Sequence, residues 1–228
     1  MREWSLMDTG QSNAPAEREP PAALFDRDFW DGRWFEVFRE HADQVAQRPP
    51  NAYLTAMAGG LDPGRALDAG CGNGGEALWL AARGWRVTAV DFSATALAHG
   101  QSTAATLGSD IAERIAWVEG DLAALVPDVG AYDLVTSLYV HVSGSVEEMV
   151  ARLATGVAPG GTMLLVGHLP IDPVTGAETP AAGQVQVTVE AAVAVLDAQR
   201  WELSIAEERP RAVARSGFDA VICARRLA

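Results

Sequence analysis

The stretch that most constrains this chain is Ala66-Leu67-Asp68-Ala69-Gly70-Cys71-Gly72-Asn73-Gly74-Gly75. A short apolar strand runs into an acid and then into a loop whose alternate positions are glycine. A helical run over 76–83 follows at once, with Leu78, Ala81 and Ala82 on one face. Glycines let the backbone turn tightly and lie against a ligand that a Cβ would push away. The start of the next helix offers N–H groups without intrahelical partners. Together these features predict a cofactor loop of the nucleotide type at the carboxyl end of a first parallel strand.

Which cofactor is the next question. Gly70, Gly72 and Gly75 satisfy the dinucleotide spacing G-x-G-x-x-G, a weak pattern when it stands alone. A P-loop is excluded, because that motif needs a lysine on the phosphates and all 17 basic residues here are arginine. Asp68 separates the remaining two. It stands two positions before the first glycine, where a strand feeding a pyrophosphate gains nothing from negative charge. S-Adenosylmethionine has no phosphate and carries an ammonium and a sulfonium, so an acid is welcome beside it.

The segment Leu67-Asp68-Ala69-Gly70-Cys71-Gly72-Asn73-Gly74 resembles motif I of the class I S-adenosylmethionine-dependent methyltransferases. Trp85-Arg86-Val87-Thr88-Ala89-Val90-Asp91-Phe92-Ser93 is similar to their second strand, with Asp91 as the residue that holds the ribose hydroxyls. Glu119-Gly120-Asp121-Leu122 resembles their adenine-contacting segment. Tyr132-Asp133-Leu134-Val135 and Ala158-Pro159-Gly160-Gly161-Thr162 are similar to the fourth-strand and pre-fifth-strand signatures. The resemblance implies a Rossmann-like α/β fold, a seven-stranded, mostly parallel sheet of order 3-2-1-4-5-7-6 with helices on both faces. It implies S-adenosyl-L-methionine as cofactor, held by Asp68, Gly70, Cys71, Gly72, Asn73, Gly74, Asp91, Phe92, Asp121 and Leu122.

The residues themselves support a parallel sheet, since apolar strands alternate with amphipathic helices from Arg65 onward. Ser93 and Thr188 read as helix caps, and Ser145 with Glu148 as a capping box. Leu97, Ala104 and Leu107 share one helix face, and Val189, Ala192, Val193 and Leu196 another. Trp201, Leu203 and Ile205 alternate with polar residues, as in an edge strand. Residues 218–224 are nearly all apolar, as an interior strand requires.

At 228 residues the chain has room for one full core. A net charge of −13 argues against nucleic acid or an anionic membrane as partner. Two cysteines in unlike contexts make no disulfide framework, which suits a cytoplasmic setting. Residues 1–21 mix Ser, Asn, Gly, Pro and charges without periodicity and are expected to be disordered. They carry no signal-peptide pattern, and no membrane-length apolar run follows. Residues 22–228 then form a single methyltransferase domain, with an aromatic cap over 24–58, a cofactor-binding core over 65–167 and an acceptor-side loop over 168–184. A small-molecule substrate and a monomer or homodimer are expected.

The cap rests on Phe25, Phe29, Trp30, Trp34, Phe35 and Phe38. Such density suits a core as well as a cap, but a spacing of four puts Trp30 and Trp34 on one face. There they could shield a sulfonium by cation–π contact. A loop as long as 168–184, at the carboxyl edge of the sheet, is functional or disordered. His168, His141 and Tyr139 open toward the acceptor side, where either a structural hydrogen-bonded role or a catalytic one fits. His41 and His99 read as solvated, and Cys71 as a packing residue. No metal site is expected.

For the acceptor, Asp28-Phe29-Trp30-Asp31 with this compact scaffold resembles the tellurite-resistance and thiopurine-type branch of small-molecule methyltransferases, which act on thiols and other soft or heteroaromatic nucleophiles. The alternative within the class is an O- or N-methyltransferase of secondary metabolism. Outside it stand an NAD(P)-dependent oxidoreductase, which leaves Asp68 unexplained, and a pseudoenzyme that binds the cofactor as a regulatory ligand.

Overall fold

A computed structural model of the chain describes residues 27–46, 48–141, 144–179, 181–211 and 217–228. The expected disordered extension over 1–21 lies outside the described residues, as does Phe25. A 20-residue helix kinked at His41, α1 (Arg27–Ala46), and a short one, α2 (Ala52–Ala58), precede an alternating run of strands and helices. That run is β1 (Arg65–Ala69), α3 (Gly75–Ala81), β2 (Arg86–Asp91), α4 (Ala94–Leu107), α5 (Ser109–Ala112), β3 (Ile115–Glu119), β4 (Tyr132–Leu138), α6 (Val146–Gly156) and β5 (Val157–His168). It closes with α7 (Val189–Val195), β6 (Trp201–Pro210) and β7 (Phe218–Arg226).

The seven strands form one sheet in the order β3-β2-β1-β4-β5-β7-β6, as the resemblance implied. β1 to β5 pair in parallel, and β7 runs antiparallel between β5 and β6. The interior strands show why both faces must be covered. Along β5, Met163 and Leu165 join one apolar cluster with Met149, Val150 and Leu153 of α6. Leu164 and Val166 join the other, with Leu54 of α2 and Leu80 of α3. That alternation is the period of two of a strand, and both sets are buried.

Ser93, Ser145 and Thr188 accept from the backbone N–H groups of Ala96, Glu148 and Ala191, so the three expected caps are present. Side-chain oxygens satisfy donors that a first turn leaves open. Two apolar expectations fail at helix ends: Leu107, the last residue of α4, is 55% exposed, and Val193 is 40% exposed. The helical repeat gives a face, but it does not say where a helix leaves the core.

Candidate cofactor and acceptor site

At the carboxyl ends of β1, β2 and β4 lies a cleft of about 380 Å³. Its floor is the glycine loop, with Gly70, Cys71, Gly72 and Asn73 all lining it. Asp91 and Phe92 form one side, and Asp121 and Leu122 continue it. Tyr139 and His141, just beyond β4, lie opposite, and Trp30 and Trp34 of α1 face the same space. The convergence follows from the sheet: parallel strands deliver their carboxyl ends to one edge, where ligands of such sheets bind.

The glycines have a stricter reason than ligand approach alone. Gly72 has φ of 52°, and a Cβ there would lie 2.7 Å from Cζ2 of Trp34. Gly74, at φ 76°, would place a Cβ 2.2 Å from Cη2 of Trp117. Side chains from α1 and β3 therefore fill the space that glycine leaves. Trp34 itself lines the cleft, so glycine at 72 makes room for a wall of the site, whereas glycine at 74 makes room for a ring packed on the core.

Asp91 is nearly buried, and both its oxygens are engaged. Oδ2 accepts from the Gly72 N–H at 2.8 Å, and Oδ1 from the Ser93 N–H at 2.9 Å. Each carboxylate oxygen has two lone pairs, so both can still accept a hydroxyl from the cleft. Burial raises its pKa, which the Ser93 and Gly72 N–H groups oppose. The same turn binds α1, because Ser93 Oγ donates to Asp31. Arg27 of α1 pairs with Glu119 at the end of β3, an exposed contact of small energetic value.

Asp68 sits behind the loop rather than on the cleft wall. Its Oδ1 accepts from Thr136 Oγ1 at 2.9 Å, while Oδ2 is buried with no hydrogen-bond partner among the described residues. Burial, with the charge of Glu76 adding to it, pushes its pKa up to about 7. Gly74 likewise lies outside the cleft lining. Cys71 is buried and its thiol is pushed well above its ordinary pKa by burial, as suits a packing residue.

α1 is fastened by rings. Trp34 stacks on Phe38, and Phe38 stacks on His99 at 3.9 Å, so His99 is half-buried rather than solvated. Burial accordingly lowers its pKa. Trp30 meets His141 edge-on, with ring centroids 4.9 Å apart.

His168 is not in the cleft lining. It stacks against Tyr139, 4.1 Å between centroids, on the side away from the sheet's first strands. Both rings converge on Asp219 of β7, which is 0% exposed. Tyr139 donates its hydroxyl to Oδ2 at 3.1 Å, and His168 Nδ1 lies 3.0 Å from Oδ1. Arg211 joins them, its Nε donating to Oδ1 at 3.2 Å. Asp219 and Arg211 were not among the expected site residues. The signal was one acid in the nearly all-apolar run 218–224, where an interior strand has no reason to carry it.

The segment after β5 does not reach the cleft either. A bridge between Ile171 and Glu178 folds it into a small hairpin, and Thr179 returns to Pro170 and Leu169. It borders α7 and β6 instead.

Residues 66–161 match the model of a family described as a methyltransferase domain. With the strand order described above, this part of the chain has the class I methyltransferase fold. Two curated relatives overlap it. The malonyl-[acyl-carrier protein] O-methyltransferase of Enterobacter lignolyticus is 31% identical over 150 residues, 65% of this chain and 53% of that protein. The ribosomal RNA small subunit methyltransferase C of Alcanivorax borkumensis is 34% identical over 112 residues, 46% of this chain and 33% of that one. The chain thus spans between a third and about half of the relatives' lengths. Among solved structures, an S-adenosylmethionine-dependent methyltransferase from Mesorhizobium loti superposes with a TM-score of 0.60 at 22% identity, over 78% of this chain and 99% of that one. The [4+2]-cyclase SpnF superposes with a TM-score of 0.68 at 17% identity, over 92% and 98%. These similarities establish the fold of the methyltransferase domain.

S-Adenosylmethionine is the cofactor that its cleft suits. The cleft presents the Asp91 carboxylate beside the glycine loop and no basic group among the glycines, which favours a cationic ligand over a pyrophosphate.

Proposed function

We propose that this protein transfers a methyl group from S-adenosylmethionine to a small-molecule acceptor by in-line displacement. The observation that carries the reading is the two-sided cleft: glycine loop and Asp91 on one side, aromatic rings of α1 and the end of β4 on the other. In this reading Asp91 holds the ribose hydroxyls with its free lone pairs. Asp121 and Leu122 border the adenine, and Gly70, Cys71, Gly72 and Asn73 form the floor under the rest. When bound, the cofactor supplies a methyl group on a sulfonium, a leaving group that needs no further activation.

The protein's own task is then alignment and exclusion of water. Trp30 and Trp34 supply a roof, and a methyl acceptor would sit between them and Tyr139 and His141. Such a wall of rings suits a planar, soft or heteroaromatic nucleophile such as a thiol, in line with the tellurite-resistance and thiopurine-type resemblance. Tyr139 is unsuited to act as a base: burial raises its pKa, Asp219 adds to the shift, and its proton is committed to that carboxylate.

The test has two stages. Calorimetry with S-adenosylhomocysteine and with NADH should show binding of the first alone. A panel of thiols, phenols, amines and metalloid oxyanions should then release S-adenosylhomocysteine from S-adenosylmethionine with at least one acceptor. Tight binding without turnover across the panel would favour a ligand-binding role, and preference for NADH would overturn the cofactor assignment.

A further inference from the structure

His168 stands between a carboxylate and a guanidinium that make incompatible demands on one nitrogen. Its Nδ1 lies 3.0 Å from Asp219 Oδ1 and 2.7 Å from Arg211 Nη2. A carboxylate oxygen only accepts and a guanidinium only donates. Nδ1 of a neutral imidazole either carries a proton or offers a lone pair, never both. With the proton on Nδ1, the bond to Asp219 forms and Arg211 is opposed. With the lone pair on Nδ1, the bond from Arg211 forms and Asp219 is opposed.

We propose that Asp219 and Arg211 are positioning residues that compete for Nδ1 of His168 and so decide whether its Nε2 acts as a proton acceptor or a proton donor. When Asp219 holds Nδ1–H, Nε2 keeps its lone pair and serves as a base. When Arg211 donates to Nδ1, the proton resides on Nε2 and the base is withdrawn. Nε2 has no hydrogen-bond partner among the described residues, and the side chain retains 27% exposure, so this edge is left for a ligand. The inference rests on the methyl-transfer reading: His168 lies outside the cleft lining but stacks on Tyr139, which borders it, so Nε2 meets a hydrogen-bonding group of the acceptor that extends past Tyr139, and the tautomer decides whether that group must donate or accept.

Two further observations single this cluster out. Asp219 is fully buried in an interior strand, where an apolar side chain of similar size would serve stability as well or better. Tyr139, which shares the carboxylate, is the sole non-glycine residue at positive φ among the described residues, at 59°. A tyrosine is strained there, and such strain gathers at functional sites. Its left-handed backbone brings the ring onto His168 and the hydroxyl onto Asp219 while the residue still borders the cleft.

The experiment is long-range ¹H–¹⁵N NMR of the histidine side chains in the full cofactor-free chain, at a pH where the imidazoles are neutral. H168Q assigns the resonances. The wild type should show a tautomer average. R211Q should move His168 toward the Nδ1–H form, and D219N should move it toward the Nε2–H form. Thermal melts confirm that each variant is folded, and R211Q alone decides the matter if D219N is not. An unchanged ring spectrum in R211Q, or shifts of both variants in one direction, overturns the proposal. Because the spectra involve no cofactor, a failure here is separate from a failure to bind S-adenosylhomocysteine, which instead sinks the methyl-transfer reading.

Discussion

Asp68 and Asp91 end neighbouring parallel strands, yet they answer to different physics. Asp68 is a buried acid whose pKa rises from 3.8 to about 7, mainly through burial. Between those values the unfolded chain has released a proton that the folded one keeps, so stability falls as pH rises. Asp68→Asn has no charge to bury. Its stability relative to wild type should therefore grow from about pH 4 to about pH 7 and then level, with a change on the order of 4 kcal/mol. Urea denaturation of the cofactor-free protein across that range measures it, and a pH-independent difference would show that Asp68 is ionised in the fold. Asp91 instead trades burial against two N–H bonds. Asp91→Ala should weaken S-adenosylmethionine binding by about 1.5–3 kcal/mol, the worth of a hydrogen bond to a charged group. It should also speed hydrogen exchange at Gly72, whose N–H loses its acceptor. Unchanged affinity in calorimetry would place the ribose elsewhere. The motif spacing made Asp91 legible; that Asp68 stands behind the loop was not, because spacing along a strand gives no depth.

Among the elements, α1 and the hairpin after β5 looked alike in sequence, as two pieces without a place in the scaffold. Rings with a spacing of four made α1 legible, and the structure brings Trp30 and Trp34 to the cleft. The hairpin was recognisable only as long. Its direction is set by local bonds, such as Asp172 Oδ1 accepting from Val174 and Thr175, and by Thr179 returning to Leu169. Those contacts follow no period that a reading of residue types detects. The two tryptophans should differ in effect. Trp34 packs on Gly72, so Trp34→Ala should weaken S-adenosylhomocysteine binding, by perturbing the floor itself. Trp30 meets His141, so Trp30→Ala should lower turnover more than it lowers cofactor affinity. Hydrogen exchange with S-adenosylhomocysteine should protect α1 and leave residues 171–178 unchanged. Protection of that hairpin equal to that of α1 would mean that it closes over the site on binding.

At the scale of the whole molecule, the interior strands were legible from their unbroken apolar runs; β6 is the edge strand that its alternating residues predicted, but a register shift between Leu203 and Ile205 breaks the alternation and leaves Leu203 exposed. Strand order was not legible, since no residue records its neighbour; it came through the motifs and their resemblance. The Asp219 cluster escaped for a related reason. It joins Tyr139 just beyond β4, His168 of β5 and Asp219 of β7, residues that lie up to 80 positions apart. Charge is the remaining property of the whole chain that bears on function. It decides whether this surface can hold a polyanion. Binding to nucleic acid at physiological salt is driven largely by lysines and arginines that displace counterions from phosphates. Here the net charge is −13, and Arg27, Arg152, Arg209 and Arg211 are each paired with a carboxylate. The purified protein should therefore retard neither duplex DNA nor structured RNA in a gel at about 0.15 M salt, with or without S-adenosylhomocysteine. A micromolar complex that weakens steeply as salt is raised would reverse the argument, because it would require a basic patch that outweighs a net charge of −13, and it would make RNA the acceptor to test first.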